Sequence, residues 1–234
     1  MKEDLIFRQL FEQETFTYTY LLGDKNSKEA ILIDTVKEKI DRDLKLVTEL
    51  GLILKYVLDT HVHADHITAA GMIADKTGAI SAQSQFSGVK CAGLYLKDGD
   101  KISFGPFELI ALSTPGHTNG CMSFFCEGML FTGDALLIRG CGRTDFQQGT
   151  SAKLFHSIKD KLYSFSDSTL VYPGHDYKGM TVSSIGEEKK YNLRIQSQTL
   201  GEQFIKVMSE LKLDNPKKIH EAVPANLGCG RDSI

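Results

Sequence analysis

The segment Thr60-His61-Val62-His63-Ala64-Asp65-His66 places three imidazoles and a carboxylate within six positions. Neutral imidazole nitrogens and carboxylate oxygens are ligands for divalent transition metals. The chain holds seven histidines in 234 residues, so three in one hexapeptide is a concentration that a polar surface loop does not explain. Groups of the same kind recur in three glycine-containing turns. His117 lies in Thr114-Pro115-Gly116-His117-Thr118, Asp134 in Phe131-Thr132-Gly133-Asp134, and His175 in Tyr172-Pro173-Gly174-His175-Asp176. A single His or Asp in such a turn is more often structural. Together the four segments point to a metal site.

Each segment follows a short apolar run that reads as a strand: 53–58 before His61, 107–113 before His117, 129–132 before Asp134 and 169–172 before His175. Loops at strand ends of a rigid scaffold are where binding and catalytic groups concentrate. Further strands are expected at 5–10, 16–22, 30–34, 79–82, 101–104 and 122–126. Apolar residues Ile40, Leu44, Val47 and Leu50 recur at helical spacing in 38–50, which Gly51 closes. Helices are also expected at 67–76, 152–162 and 200–211. The short runs between 101 and 132 suggest an antiparallel meander. Two rounds of strands followed by helices suggest two β-sheets packed together with helices outside. Periodicity alone does not separate that from other α/β arrangements. With no repeat, low-complexity stretch or long linker, residues 1–234 read as one domain.

Net charge is −3, which gives no field to gather nucleic acid or anionic lipid. No apolar run approaches the ~20 residues of a spanning helix. The N-terminus MKEDLIFRQLFEQETF fits neither a secretory signal nor an Arg-rich transit peptide. Cys91, Cys121, Cys126, Cys141 and Cys229 form an odd, irregular set without a CxxC pair. Reduced thiols in a cytoplasm are the expectation, Cys229 being without an evident partner. A mature organellar enzyme would read the same way.

THVHADH, followed by TPGHT, FTGD and YPGHD, resembles the metallo-β-lactamase superfamily pattern over residues 34–177. The resemblance implies an αββα sandwich of two mixed β-sheets flanked by helices, with metal bound at one edge of the sheets. By analogy with the dinuclear zinc hydrolases of that superfamily, His61, His63 and His117 would hold one ion. Asp65, His66 and His175 would hold the other, with Asp134 bridging. A second stretch, Arg139-Gly140-Cys141-Gly142-Arg143-Thr144-Asp145-Phe146-Gln147-Gln148-Gly149, is similar to the persulfide dioxygenase branch. HADHIT, HDYKGMTVSS, and VPAN at 223–226 followed by Cys229-Gly230 also resemble it.

That branch implies one Fe(II) per chain on His61, His117 and Asp134, with His63, Asp65, His66 and His175 beside it or at a second-ion position. Two imidazoles and one carboxylate would leave open positions for substrate, oxygen and water. The implied reaction takes glutathione persulfide, O2 and water to sulfite and glutathione. The alternative is a dinuclear zinc, glyoxalase II-like thioesterase acting on acyl-glutathione. A metal-binding or sulfur-carrying protein without turnover is a third reading. The substrate's two carboxylates call for cationic groups, for which Arg143 and Arg194 are the candidates. Each could equally brace a loop or face solvent. Tyr177 would place its hydroxyl beside metal or substrate. The family implies a homodimer and, no rhodanese-like domain being attached, a separate rhodanese-type sulfur transferase. His156 and His220 read as surface residues, Asp34 as a brace at a strand-end turn, and Cys141 as a packing residue.

Overall fold

In a computed structural model, described for residues 2–216 and 218–231, the chain forms two six-stranded sheets. The first runs in the order β1 (Leu5–Glu12), β2 (Thr17–Asp24), β3 (Glu29–Ile33), β4 (Ile53–Leu58), β5 (Ile80–Ser84) and β6 (Leu94–Leu96). The second contains β7 (Lys101–Phe104), β8 (Phe107–Ser113), β9 (Met122–Cys126), β10 (Met129–Gly133), β11 (Leu170–Pro173) and β12 (Ser183–Ser184). Both are mixed. The β3, β4, β5 and β6 pairings are parallel, as is β10 with β11, while β7 to β10 form the expected antiparallel meander.

Alternation along the strands explains the layering, because successive side chains point to opposite faces. On β3, Ile31 and Ile33 enter the core between the sheets, while Ala30 and Leu32 face the outer layer. That layer is α1 (Ile40–Glu49) and α2 (Ala70–Thr77). On β10, Met129 and Phe131 face inward and Leu130 outward. Leu130 meets Leu154 of α3 (Ser151–His156), Ile185 of α4 (Ile185–Tyr191), and Phe204 and Met208 of α5 (Gly201–Glu210). The result is the αββα sandwich. Its central layer is aromatic: Phe7, Tyr20, Phe131 and Tyr172 meet at centroid separations of 4.8–6.2 Å. Truncating fully buried Phe131 to Ala would cost about 3–5 kcal/mol.

The strands 53–58, 101–104, 107–113 and 122–126 have their expected bounds. Helix α2 begins at Ala70 rather than at 67, because residues 60–67 bend irregularly around the site, Thr68 bridges to Val36, and the Thr68 hydroxyl accepts the Ala70 amide. Unforeseen were β6, β12, α4 and the C-terminal helix α6 (Ile219–Leu227). They are short, and α6 contains Pro224. Cys91 and Cys229 are joined in a disulfide, which corrects the expectation of reduced cysteines throughout. The partners lie 138 residues apart, so only the fold could pair them. Cys121, Cys126 and Cys141 are free and buried.

Candidate metal centre

The sheets present their strand ends at one edge, and there the candidate groups meet. Asp34 follows β3, residues 59–66 follow β4, His117 follows β8, Asp134 follows β10 and His175 follows β11. His61, His117 and Asp134 each offer a ligand atom, all within 4.8 Å of one another. His117 Nε2 lies 3.6 Å from Asp134 Oδ2. His63, Asp65 and His66 form a second such group, and His63 with Asp34 and Asp59 a third. His175 bridges toward both carboxylates, its Nε2 lying 3.7 Å from Asp134 Oδ1 and from Asp65 Oδ1.

Hydrogen bonds fix the tautomers of the two imidazoles in the first group. His117 Nδ1 lies 2.7 Å from the Arg143 carbonyl oxygen, which only accepts, so Nδ1 carries the proton and Nε2 the lone pair. The His61 tautomer is fixed through Thr60. The Thr60 hydroxyl donates to Asp34 Oδ2 at 2.9 Å, so its oxygen accepts from His61 Nδ1 at 2.9 Å. His61 Nε2 is thereby left as its lone pair. Burial, then the neighbouring His63 and His117, hold the His61 pKa well below the usual imidazole range, which keeps that lone pair available.

A cation fits this site. Among the described residues Asp134 Oδ1, His63 Nδ1 and His66 Nε2 are buried without a hydrogen-bond partner, and leaving such atoms unpaired is costly. Two glycines allow the approach. A Cβ on Gly133 (φ 49°) would strike the Thr60 hydroxyl, and one on Gly142 would strike the Asp134 carbonyl oxygen and the His117 ring. The Gly142 of the GCGR stretch is thus where the 139–149 loop closes on the metal ligands.

His63 is held differently. Its Nε2 lies 3.1 Å from Asp34 Oδ1, both side chains buried. Burial disfavours its charged form, but the Asp34 carboxylate outweighs this and its pKa is pushed up to about 9. Asp34 also takes the Thr60 amide at 2.7 Å, and its φ of 54° turns the carboxylate inward. The expected brace is therefore also the group that orients two of the histidines. Asp59 was missed by sequence reasoning, although it too stands at a strand end. It is fully buried, accepts from Thr68 Oγ1 and Gln83 Nε2, and burial pushes its pKa up to about 7.

A cavity of about 700 Å³ opens over the first group, a size that suits a small-molecule substrate. His61, His117, Asp134, Tyr177, Arg143 and Arg194 all line it. Tyr177 stacks on His175 at 6.1 Å and tilts against Phe16 at 5.3 Å. Tyr177 is exposed at the cavity mouth, and the surrounding protein, then Asp134 and Asp65, raise its pKa, so it stays protonated and can donate. Arg143 is committed. Its Nε and one Nη grip Asp145 at 2.7 Å each, another Nη donates to the Asp214 carbonyl, and its plane lies 4.3 Å over Phe146. Arg194 also lines the cavity, donates through one Nη to the Cys141 carbonyl, and has its charge beside the Cys141 thiol. Cys141 packs on Met208, and burial pushes its thiol up to about 11. His156 is exposed and paired with Asp160, and His220 is exposed.

The model of the metallo-beta-lactamase superfamily matches residues 13–85 and 93–175. The mitochondrial persulfide dioxygenase ETHE1 of Homo sapiens is 50% identical over 230 residues, covering 97% of this chain and 89% of that one. The crystal structure of ETHE1 from Myxococcus xanthus superposes with a TM-score of 0.94 at 50% identity, covering 97% of this chain and 100% of that one. The chain belongs to the persulfide dioxygenase family. Similarity to a hydroxyacylglutathione hydrolase of Brucella ovis is partial, 36% identity over 54% of this chain. Family membership makes this a sulfur dioxygenase of metallo-β-lactamase fold, an enzyme with a small-molecule substrate and a metal site. No described helix is long and apolar enough to cross a membrane.

Proposed function

We propose that this chain oxidises the outer sulfur of glutathione persulfide with O2 and water, giving sulfite and glutathione, at one Fe(II) held by His61, His117 and Asp134. The balance closes: one persulfide, one O2 and one water yield one thiol and one sulfurous acid, which releases its protons to solvent. The observation that carries the reading is the three-group cluster, with both Nδ1 atoms tied back and both Nε2 lone pairs left free. Iron bound there would have open positions for a sulfur anion and for O2, and would pass electron density between them.

The protein's own part is placement. Asp34 and Thr60 set one imidazole, and the Arg143 carbonyl sets the other. Arg194, a cation on the cavity wall with no carboxylate partner found among the described residues, takes a substrate carboxylate. Arg143 shapes the wall through Asp145 and the 213–214 backbone. Protonated Tyr177 offers a hydrogen bond to the oxygen atoms of the oxidised sulfur. The active form we infer is a homodimer supplied by a separate rhodanese-type sulfur transferase.

A second reading has its own observation. His63, Asp65 and His66 converge within 4.8 Å and offer a second cation position, where the zinc-hydrolase pattern would use Asp65 and His66 with His175, whose Nε2 lies 3.7 Å from Asp65 Oδ1. An oxygen electrode separates the two. Iron-loaded protein given glutathione persulfide should consume O2 and form sulfite one for one. No uptake, with hydrolysis of an acyl-glutathione instead, rejects the oxidative reading.

A further inference from the structure

The C-terminal hook, α6 with residues 228–231, is fastened to the loop that carries His61, His63, Asp65 and His66. Asn226 is buried and its side-chain amide donates to the carbonyls of His63 and His66, each at 2.9 Å. Its Oδ1 accepts the Thr68 amide at 2.8 Å. Three residues on, the Cys229 carbonyl accepts the Gly71 amide at 3.1 Å, and Arg231 pairs with Asp75 through two contacts of 2.7 Å. The approach is close enough that a Cβ on Gly71 would lie 2.5 Å from the Cys229 carbonyl oxygen. The hook is thus built into the backbone of the metal loop.

One covalent bond pins it. Cys229 is joined to Cys91, on the segment between β5 and β6. The pair packs with Val89, Val223 and Val62, and Val62 stands between His61 and His63. Cys229 is buried and Cys91 partly exposed, so solvent reaches the bond from the Cys91 side.

We propose that Cys91–Cys229 is a thiol-exchange site, taking low-molecular-weight thiols, whose opening loosens the hook and with it the metal loop. A thiolate attacks Cys91 Sγ, the S–S bond breaks, and its electron pair leaves on Cys229 Sγ, which takes a proton. A second thiolate attacks the small-molecule sulfur of the mixed disulfide and frees Cys91. Two thiols are oxidised to one disulfide as the protein bond is reduced. With the pin gone, only noncovalent contacts hold the hook, and local opening of the loop becomes less costly. The inference stands without the persulfide reading, since it concerns how tightly the loop is held, whichever ion it helps hold.

The test uses protein purified with its own metal and without added reductant, compared before and after exposure to glutathione. Peptide mapping after alkylation reports the Cys91–Cys229 bond, amide hydrogen exchange reports Thr68 and Gly71, and elemental analysis follows metal lost to excess chelator. Reduction should speed exchange at those two amides roughly tenfold and speed metal loss in parallel. Cys91→Ser should match the reduced protein and ignore glutathione. If that variant does not fold, the two redox states of the unaltered chain decide the matter alone. Alkylation of both cysteines in unreduced protein overturns the proposal, as does exchange and metal loss indifferent to reduction.

Discussion

The Nε2 atom of His63 lies 3.1 Å from Oδ1 of Asp34, while Oδ2 of the same carboxylate reaches His61 through Thr60. One residue at a strand end therefore sets the proton on two imidazoles. Asn tolerates the left-handed φ of 54° that Asp34 adopts, so Asp34→Asn tests the charge without forcing the backbone. Outer partners of metal-bound histidines are worth 10- to 100-fold in affinity or activity. Asp34→Asn should lose metal to a chelator about 10- to 100-fold faster and lose turnover in step. A variant that keeps its metal and rate would remove Asp34 from the account.

The two arginines should part company in kinetics. Arg194 is the cavity-wall cation assigned to a substrate carboxylate, so Arg194→Ala should raise KM about tenfold with kcat within about twofold. Arg143 is already satisfied by Asp145, Asp214 and Phe146. Arg143→Ala should instead lower the unfolding midpoint and depress kcat as the 139–149 loop loosens around His117. Steady-state rates with glutathione persulfide, read beside thermal melts, distinguish the pair. The opposite pattern would exchange the two roles.

Asn226 saturates three backbone groups of the metal loop. Asn226→Ala strands two buried carbonyls and one amide, at about 1–3 kcal/mol each before water rescues any of them. Denaturant unfolding should show a loss of about 2–4 kcal/mol, with faster exchange at Thr68. A loss under about 0.5 kcal/mol, the scale of a surface substitution, would show that the loop holds itself.

A pH dependence comes from Glu12, which shapes the turn carrying Thr15 and Phe16 to the cavity wall. Burial opposes its charge, yet the Glu14 and Thr15 amides, the Thr15 hydroxyl and Lys39 lower its pKa below 4.5. A carboxylate with a lowered folded pKa stabilises above its unfolded value and loses that contribution as the pH falls through the folded one. Glu12→Gln should therefore cost about 1.5–3 kcal/mol at pH 7, and progressively less as the pH falls below 4.5. Urea titrations at both ends of that range check it, and a cost independent of pH would contradict it.

Much of this was legible beforehand because strand period and glycine turns are local signals. The ligand-bearing segments each follow an apolar strand whose end the turn marks, while their meeting at one edge came from the resemblance to the metallo-β-lactamase pattern and not from periodicity. What local signals cannot carry is pairing across distance. Asn226 touches a loop some 160 positions away, and Cys91 meets Cys229 across 138 residues. Nor does residue type reveal commitment. Arg143 and Arg194 read alike in sequence and differ in their partners, Asp145, the Asp214 carbonyl and Phe146 for one and the Cys141 carbonyl for the other. Helix α6 went unseen because Pro224 interrupts its pattern and its stability comes from tertiary contacts.

The central claim is a single ion on His61, His117 and Asp134. Elemental analysis of protein purified anaerobically from its native cell, set against chain concentration, addresses it most directly. The account predicts about one iron per chain, lost together with activity in Asp134→Ala. Two tightly held zinc ions per chain, the second lost on altering His66, would contradict it.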